Sequence, residues 1–334
     1  MKIKELRKLI ISKRLNFILG SGCSTPAIPL MGEFWKKYPE NKDKANEKLE
    51  EEIKRVSNIL ASQNVDQINV YNKEIHDVLD VYIYFIQKVI EYLNLSNARE
   101  TPRRTNIFTT NYDLFIEKAF DILSQNYRFV INDGAKGYFN RILESSNFDQ
   151  VVSYKGMNDN YISEIPSIAL IKPHGSVNWE KDSKNESLFI RNRVVSNPVI
   201  VKPTGFEAED TFNQNHFFSM LRFFTNELDK PQSVLVVIGF SFQDKHIARM
   251  VRRAIANPEL LVICFCYSTD DVGKILANLQ IKVDEQGPAN LKFVVPENNK
   301  GQIKNLNILK HEDKITLETV VKFMNGDFDE TDDE

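Results

Sequence analysis

Two residues in this sequence combine reactive chemistry with a setting that could display it. His174 stands between Pro173 and Gly175, and Asn111 lies in the run Thr109-Thr110-Asn111-Tyr112-Asp113. An imidazole titrates near neutral pH and can accept a proton from a ribose hydroxyl or from water. An amide can orient a hydroxyl or a water without adding charge near a cationic transition state. Asp113 is suited to cap a following helix, which leaves Asn111 free. Two loops of small residues could complete such a site: Gly20-Ser21-Gly22-Cys23-Ser24 and Gly239-Phe240-Ser241. Glycines at a strand-to-helix turn let the backbone approach a pyrophosphate, and the helix N-terminus offers N–H donors. Each feature also has an ordinary reading: a tight turn, a helix cap, a hydrogen-bonded structural histidine. The third glycine of the usual dinucleotide fingerprint is missing, because Thr25 stands there. His76, His216, His246 and His311 have no comparable context and read as structural.

The elements around these residues follow from hydrophobic patterning. Leu15–Leu19 is a short strand-like run ending at Gly20, and a helix is expected from about Gly32. Ile107–Thr110 is a strand leading to the helix Leu114–Leu123, and Ile168–Ile171 is a β-like run ending at Lys172-Pro173-His174. Val234–Ile238 is continuously apolar, as in a parallel strand covered on both faces. Asp244 can cap the helix after it, whose apolar stripe is Ile247, Val251, Ala254 and Ile255. Strands are expected at Leu260–Tyr267 and Leu291–Val295, and a helix at Asp270–Leu279. Leu188–Val201 reads as a hairpin, and Thr211–Leu228 as a helix with Phe217, Phe218, Leu221 and Phe224 on its apolar face. Between Glu40 and Glu100 the pattern is helical: a charged, solvated helix over Asn41–Lys54, then a packed one over Val78–Leu93. Alternating strands and helices imply an α/β fold, a mostly parallel sheet with helices on both faces. Ligands of such sheets bind beyond the carboxyl ends of the strands, where all four suspect segments fall.

Composition excludes several classes. Of 334 residues, 42% are hydrophobic and 27% charged, as in a soluble globular protein. The net charge of -3 argues against a nucleic-acid surface spread over the whole molecule. Cys23, Cys264 and Cys266 are too few for a four-cysteine zinc site or a paired disulfide framework, and the last two read as small core residues of a strand. No signal-peptide pattern opens the sequence, and no apolar run nears the roughly 20 residues of a membrane span. A cytoplasmic location is the expectation. The acidic run Asp327–Glu334 is expected to fray.

Taken in order, Gly20-Ser21-Gly22-Cys23-Ser24 with Ile28-Pro29, Thr109-Thr110-Asn111-Tyr112-Asp113, His174-Gly175-Ser176 and Gly239-Phe240-Ser241 resemble the sirtuin family. The resemblance spans most of Leu15–Tyr267. It implies a Rossmann-like domain over 1–310 with a helical insertion at about 40–100, followed over 311–334 by a C-terminal helix and the acidic tail. It implies NAD as the ligand and cleavage of its nicotinamide–ribose bond. Gly20, Ser21, Gly22 and Ser24 match the family's adenosine- and phosphate-contacting loop, and Gly239 and Ser241 its second contact near the ribose. Asn111 and His174 match the essential amide and histidine. Asp113 matches the aspartate that supports the nicotinamide pocket.

Two departures separate the sequence from the deacylase members. No cysteine lies between His174 and Gly239, so their paired-cysteine zinc module cannot form and no metal is expected. Leu30-Met31-Gly32-Glu33 replaces their acidic-arginine element. The forms Gly239-Phe240-Ser241-Phe242-Gln243-Asp244 and His174-Gly175-Ser176-Val177-Asn178-Trp179 look like the sirtuin-like NADase branch of bacterial antiphage defence. Its stand-alone type partners a HerA-like hexameric ATPase encoded separately. The expectation is therefore an NAD glycohydrolase, a hydrolase releasing nicotinamide and ADP-ribose, in a homo-oligomer controlled by that partner. A deacylase and a non-catalytic NAD- or ADP-ribose-binding subunit are the rivals. The helical region is either a partner or oligomer surface or a packed subdomain.

Overall fold

The computed structural model describes residues 2–11, 13–95, 103–154, 164–182, 187–201, 215–282, 288–297 and 306–329. Its centre is a parallel sheet. β1 (Arg14–Leu19) lies between β2 (Arg104–Thr109) and β9 (Ser233–Ile238). Beyond β2 come β6 (Ser167–Ile171) and β3 (Val130–Asn132). Beyond β9 come β10 (Leu261–Phe265), β11 (Leu291–Pro296) and the edge strand β12 (Asn307–Leu309), which the sequence pattern did not suggest. Chain order reverses direction on either side of β1, so the crevice between the ends of β1 and β9 is a topological switch point. A small antiparallel sheet holds β4 (Ala135–Lys136), β5 (Ile142–Leu143), β7 (Trp179–Lys181) and β8 (Leu188–Ile190). The hairpin therefore joins Trp179–Lys181 to Leu188–Ile190 and does not extend to Val201, which is tied instead to the backbone of His174.

Side-chain alternation assigns each face of the large sheet to its own helices. Leu15, Phe17 and Leu19 of β1, with Ile107 and Val236, face a core built with α1 (Ile3–Ile11), α5 (Lys73–Leu95), α6 (Phe115–Leu123) and α10 (Leu317–Asn325). Ile18, Phe108, Ile171 and Val237 face the other core, with α7 (Asn215–Asp229), α8 (Lys245–Ala254) and α9 (Asp270–Asn278). The expected stripe of α8 is buried throughout. On α7, Phe217, Leu221 and Phe224 are buried but Phe218 is 46% exposed. One residue is a 100° step on a helix, which carries Phe218 away from the stripe. Residues 211–214 of that expected helix lie outside the described ones.

Three of the helical elements between β1 and β2 are α3 (Lys42–Ser62), α4 (Val65–Tyr71) and α5, which follow α2 (Met31–Lys37). The charged α3 is amphipathic and not simply solvated: Ile53, Val56 and Leu60 are buried at helical spacing, while Lys48–Glu51 and Arg55–Glu52 pair outside. α5 is a core helix. Its Val78, Leu79, Tyr82, Phe85, Ile86 and Val89 are buried, and Phe85 meets Phe17 of β1 edge to face at 5.0 Å. At its far end the Tyr92 hydroxyl donates to the Met324 carbonyl of α10 at 2.5 Å. The acidic terminus does not fray as a whole, because Asp329 binds the Arg7 guanidinium; residues 330–334 lie outside the described ones. Among the described residues, no helix is long and apolar enough to cross a membrane.

Candidate active site

The four suspect segments converge at the carboxyl ends of four neighbouring strands, β9, β1, β2 and β6. After β1 the chain turns into a short 3-10 turn, Ser21–Ser24. Gly20 and Gly22 are pressed against the loop after β9. A Cβ on Gly20 would lie 2.3 Å from the Gly239 carbonyl oxygen, and one on Gly22 would lie 3.0 Å from the Gly239 Cα. The Gly22 N–H donates to the Gly239 carbonyl at 3.1 Å, and the Gly20 N–H to that of Ile238 at 3.0 Å. These two amides are thus committed within the protein. The glycines let two loops touch backbone to backbone, a close approach that the sequence did not assign to a protein partner. Gly239 has φ +61, in the left-handed region glycine tolerates. Ser21 and Gly22 are exposed at the rim. Cys23 and Ser24 are buried, and burial pushes the Cys23 thiol up.

Asn111 follows β2 and is 9% exposed. Its Nδ2 donates to the Gly20 carbonyl at 3.1 Å and to Ser24 Oγ at 3.3 Å. Its backbone N–H donates to Thr109 Oγ1, which donates in turn to the Leu19 carbonyl at 2.8 Å. Asn111 is therefore not free, as the sequence suggested. Its nitrogen is committed, and its Oδ1 takes part in none of these bonds. Asp113 does meet the next helix, accepting from the Phe115 N–H at 3.3 Å, and its other oxygen accepts from Ser24 Oγ at 2.8 Å. Burial raises the Asp113 pKa, opposed by the nearby Lys172 charge. Lys172, 2% exposed, is used up by the Asp113 carbonyl at 2.5 Å, Glu117 Oε1 at 2.8 Å and Ser176 Oγ at 3.0 Å.

His174 follows β6 and is 7% exposed. Its Nε2 lies 2.8 Å from Asp244 Oδ2, and among the described residues no other hydrogen bond reaches that oxygen. Asp244 Oδ1 caps α8, accepting from the His246 and Ile247 N–H groups at 2.8 and 3.1 Å. Burial opposes the Asp244 charge, but His174 and these two N–H groups outweigh it and hold the carboxyl below its usual range. Gly175, at φ +85, bends the chain where a Cβ would lie 2.0 Å from the Val199 carbonyl oxygen. The Val177 N–H then reaches the Tyr112 carbonyl at 3.1 Å, joining the histidine segment to the asparagine segment. Ser241 is half-buried, its carbonyl held by Asn278 Nδ2 of α9 at 2.7 Å, and the buried Phe242 that follows has φ +59.

All nine residues singled out by sequence thus lie on these strand-end loops: Gly20, Ser21, Gly22, Ser24, Asn111, Asp113, His174, Gly239 and Ser241. Sequence reasoning missed two partners. Asp244 was read only as a cap, although its place five residues after Gly239 puts it on the same loop. Tyr82 of α5, whose hydroxyl lies 3.0 Å from Ser24 Oγ, carries no local signal; its spacing marks it only as one of the buried residues of α5. Among the described residues, no group of three or more His, Cys, Asp or Glu could hold a metal ion.

A family model described as a SIR2-like domain matches residues 105–282. The chain belongs to the SIR2-like domain family. Membership suggests NAD-binding or NAD-processing activity and agrees with the parallel α/β architecture. No curated protein matches the chain. Solved structures similar to this SIR2-like chain include an alanine variant of a Sir2 homologue in complex with ADP-ribose, at a TM-score of 0.42 and 13% identity, covering 84% of this chain and 99% of that one. An asparagine variant of a Sir2 homologue, also with ADP-ribose, has a TM-score of 0.40 and 13% identity over 84% and 99% of the two chains. A triple variant with 2'-O-acetyl ADP-ribose has a TM-score of 0.35 and 14% identity over 85% and 100%.

Proposed function

We propose that this protein is an NAD glycohydrolase. The observation that supports this reading best is the pairing of Asn111 and His174 on the ends of adjacent strands, each held by one partner loop. NAD is the substrate, seated across the β1–β9 crevice with its pyrophosphate at the exposed Ser21–Gly22 rim and a ribose near Gly239 and Ser241. The bond from ribose C1' to the nicotinamide nitrogen breaks, and nicotinamide leaves with the electron pair. The ribose gains oxocarbenium character, and a water oxygen bonds to C1'. Asn111 Oδ1 accepts from that water or from a ribose hydroxyl and fixes its orientation. His174 takes the released proton. Its Nε2 faces Asp244, so Nδ1 is the nitrogen open to the proton, and the Asp244 carboxylate stabilises the imidazolium that forms. Asp113 supports the nicotinamide pocket.

The resemblance to defence NADases extends the proposal. The chain depletes NAD in antiphage defence, as a homo-oligomer held in check until it assembles with a HerA-like ATPase. Free NAD hydrolysis would harm the host, so the isolated chain is expected to turn over slowly. Mass analysis of the products from NAD, with and without a co-purified partner, for wild type and Asn111→Ala, tests the reading. Nicotinamide and ADP-ribose from NAD alone, lost in the variant, support it. Nicotinamide release that requires an acylated peptide would make the protein a deacylase. Unchanged turnover in both Asn111→Ala and His174→Ala complexes would make it a binding subunit.

A further inference from the structure

The helical insertion reaches into the site through one atom. The Tyr82 hydroxyl lies 3.0 Å from Ser24 Oγ, on a residue that is 0% exposed. Donor counting fixes the direction of every bond here. A serine hydroxyl has one hydrogen and two lone pairs. Ser24 gives its hydrogen to the Asp113 carboxylate at 2.8 Å, so its two acceptor positions receive Tyr82 Oη–H and Asn111 Nδ2–H. This count takes Asp113 as a carboxylate, the form that the Lys172 charge and the Ser24 and Phe115 donors favour and burial opposes. Ser24, 1% exposed, therefore has nothing left for a ligand.

The same count orients the amide. Asn111 Nδ2 faces the Gly20 carbonyl and Ser24 Oγ, both of them oxygens. A flipped amide would set Oδ1 against the Gly20 carbonyl and lose the bond to it. Only one orientation satisfies the group, and it leaves Oδ1 as the atom available to substrate. The Tyr82 ring is held in turn, stacked on Phe115 at 5.3 Å and 4°.

We infer that Tyr82 is a positioning residue: through Ser24 it locks the Asn111 amide with its oxygen toward the ligand, making α5 part of the active site's framework. The functional consequence rests on the glycohydrolase reading above, whereas the lock itself can be measured without turnover.

The test uses the full chain with Tyr82→Phe, which keeps the ring and its stack and removes only the hydroxyl. In protein labelled with 15N-asparagine, the Asn111 side-chain amide hydrogens should exchange slowly with solvent. Tyr82→Phe should speed that exchange about tenfold, the scale of one lost hydrogen bond. Nicotinamide release should fall about tenfold in kcat, with KM changed by less than about twofold, because Tyr82 does not touch substrate. Combined with Ser24→Ala, Tyr82→Phe should add no further loss, since both act on one bond chain. Unchanged amide exchange in Tyr82→Phe overturns the inference. So does a kcat loss that multiplies with that of Ser24→Ala, or one matched by an equal loss of ADP-ribose affinity. Slow Asn111 exchange that Tyr82→Phe accelerates, in a protein whose complex releases no nicotinamide, would uphold the lock and sink the glycohydrolase reading alone. If Tyr82→Phe does not fold, Ser24→Ala carries the exchange measurement, with the same acceleration expected and the same absence of change overturning the lock.

Discussion

The asparagine side of the site and the histidine side are built on opposite plans. Around Asn111 the polar groups are nearly saturated: Ser24 has three partners, Asp113 accepts on both oxygens, and the amide nitrogen bonds to two acceptors. Around His174 the polar contact is with an Asp244 oxygen that, among the described residues, has no other hydrogen bond. A saturated network holds geometry, because any rotation leaves a buried group unpaired. A carboxylate beside an imidazole complements the positive charge that a proton transfer would place on the ring. On the glycohydrolase reading proposed above, the difference divides the labour: one side holds an atom still and the other moves a proton.

The largest test of that contrast is His174→Ala. It should cut nicotinamide release by about a thousandfold, within the range for a lost acid–base group, while ADP-ribose titration calorimetry shows affinity kept. Asn111→Ala should cost about a hundredfold in the same assay, as for one preorganised polar contact. If the two effects reverse in size, the division of labour is wrong. Gly239→Ala should destabilise the protein by about 2 kcal/mol in denaturant titration, from its positive φ and a Cβ only 2.8 Å from Cys23 N. That loss should spread to both sides of the site, since Gly239 joins them. The smallest effect concerns pH. The folded pKa of Asp244 is depressed, so its contribution to stability is present above the ordinary carboxylate range and fades as pH falls through the depressed value. Asp244→Asn should flatten that acid limb of the melting temperature; an unchanged limb would show that the His174 contact contributes little.

Much of this arrangement was legible in the sequence. The continuous apolar run Val234–Ile238 announces a central parallel strand, and the strand β9 covers it with every residue buried. Small or polar residues directly after such runs mark loops at strand ends, which is why all nine candidates fell there. What stayed hidden depended on distance in the chain. Tyr82 sits 58 positions from Ser24, and nothing in local periodicity separates it from the core residues beside it. The short β12 is recognisable only by its pairing with β11. The packing of Gly20 and Gly22 on Gly239 also stayed hidden, because a glycine signals close approach without saying what approaches.

The contact of Gly20 and Gly22 with Gly239 has a genetic consequence. It is made by main-chain atoms on both sides. A side chain introduced at Gly20 cannot be relieved by trimming a neighbour, since the atoms it meets belong to the backbone every residue shares. A screen for second-site suppressors of Gly20→Ala should thus return reversions to glycine and few compensating changes. A screen beginning from Gly134→Ala, whose added Cβ would meet the Phe148 and Leu143 side chains, can draw on smaller residues at those positions to relieve the clash, though not the strain of its φ of +76.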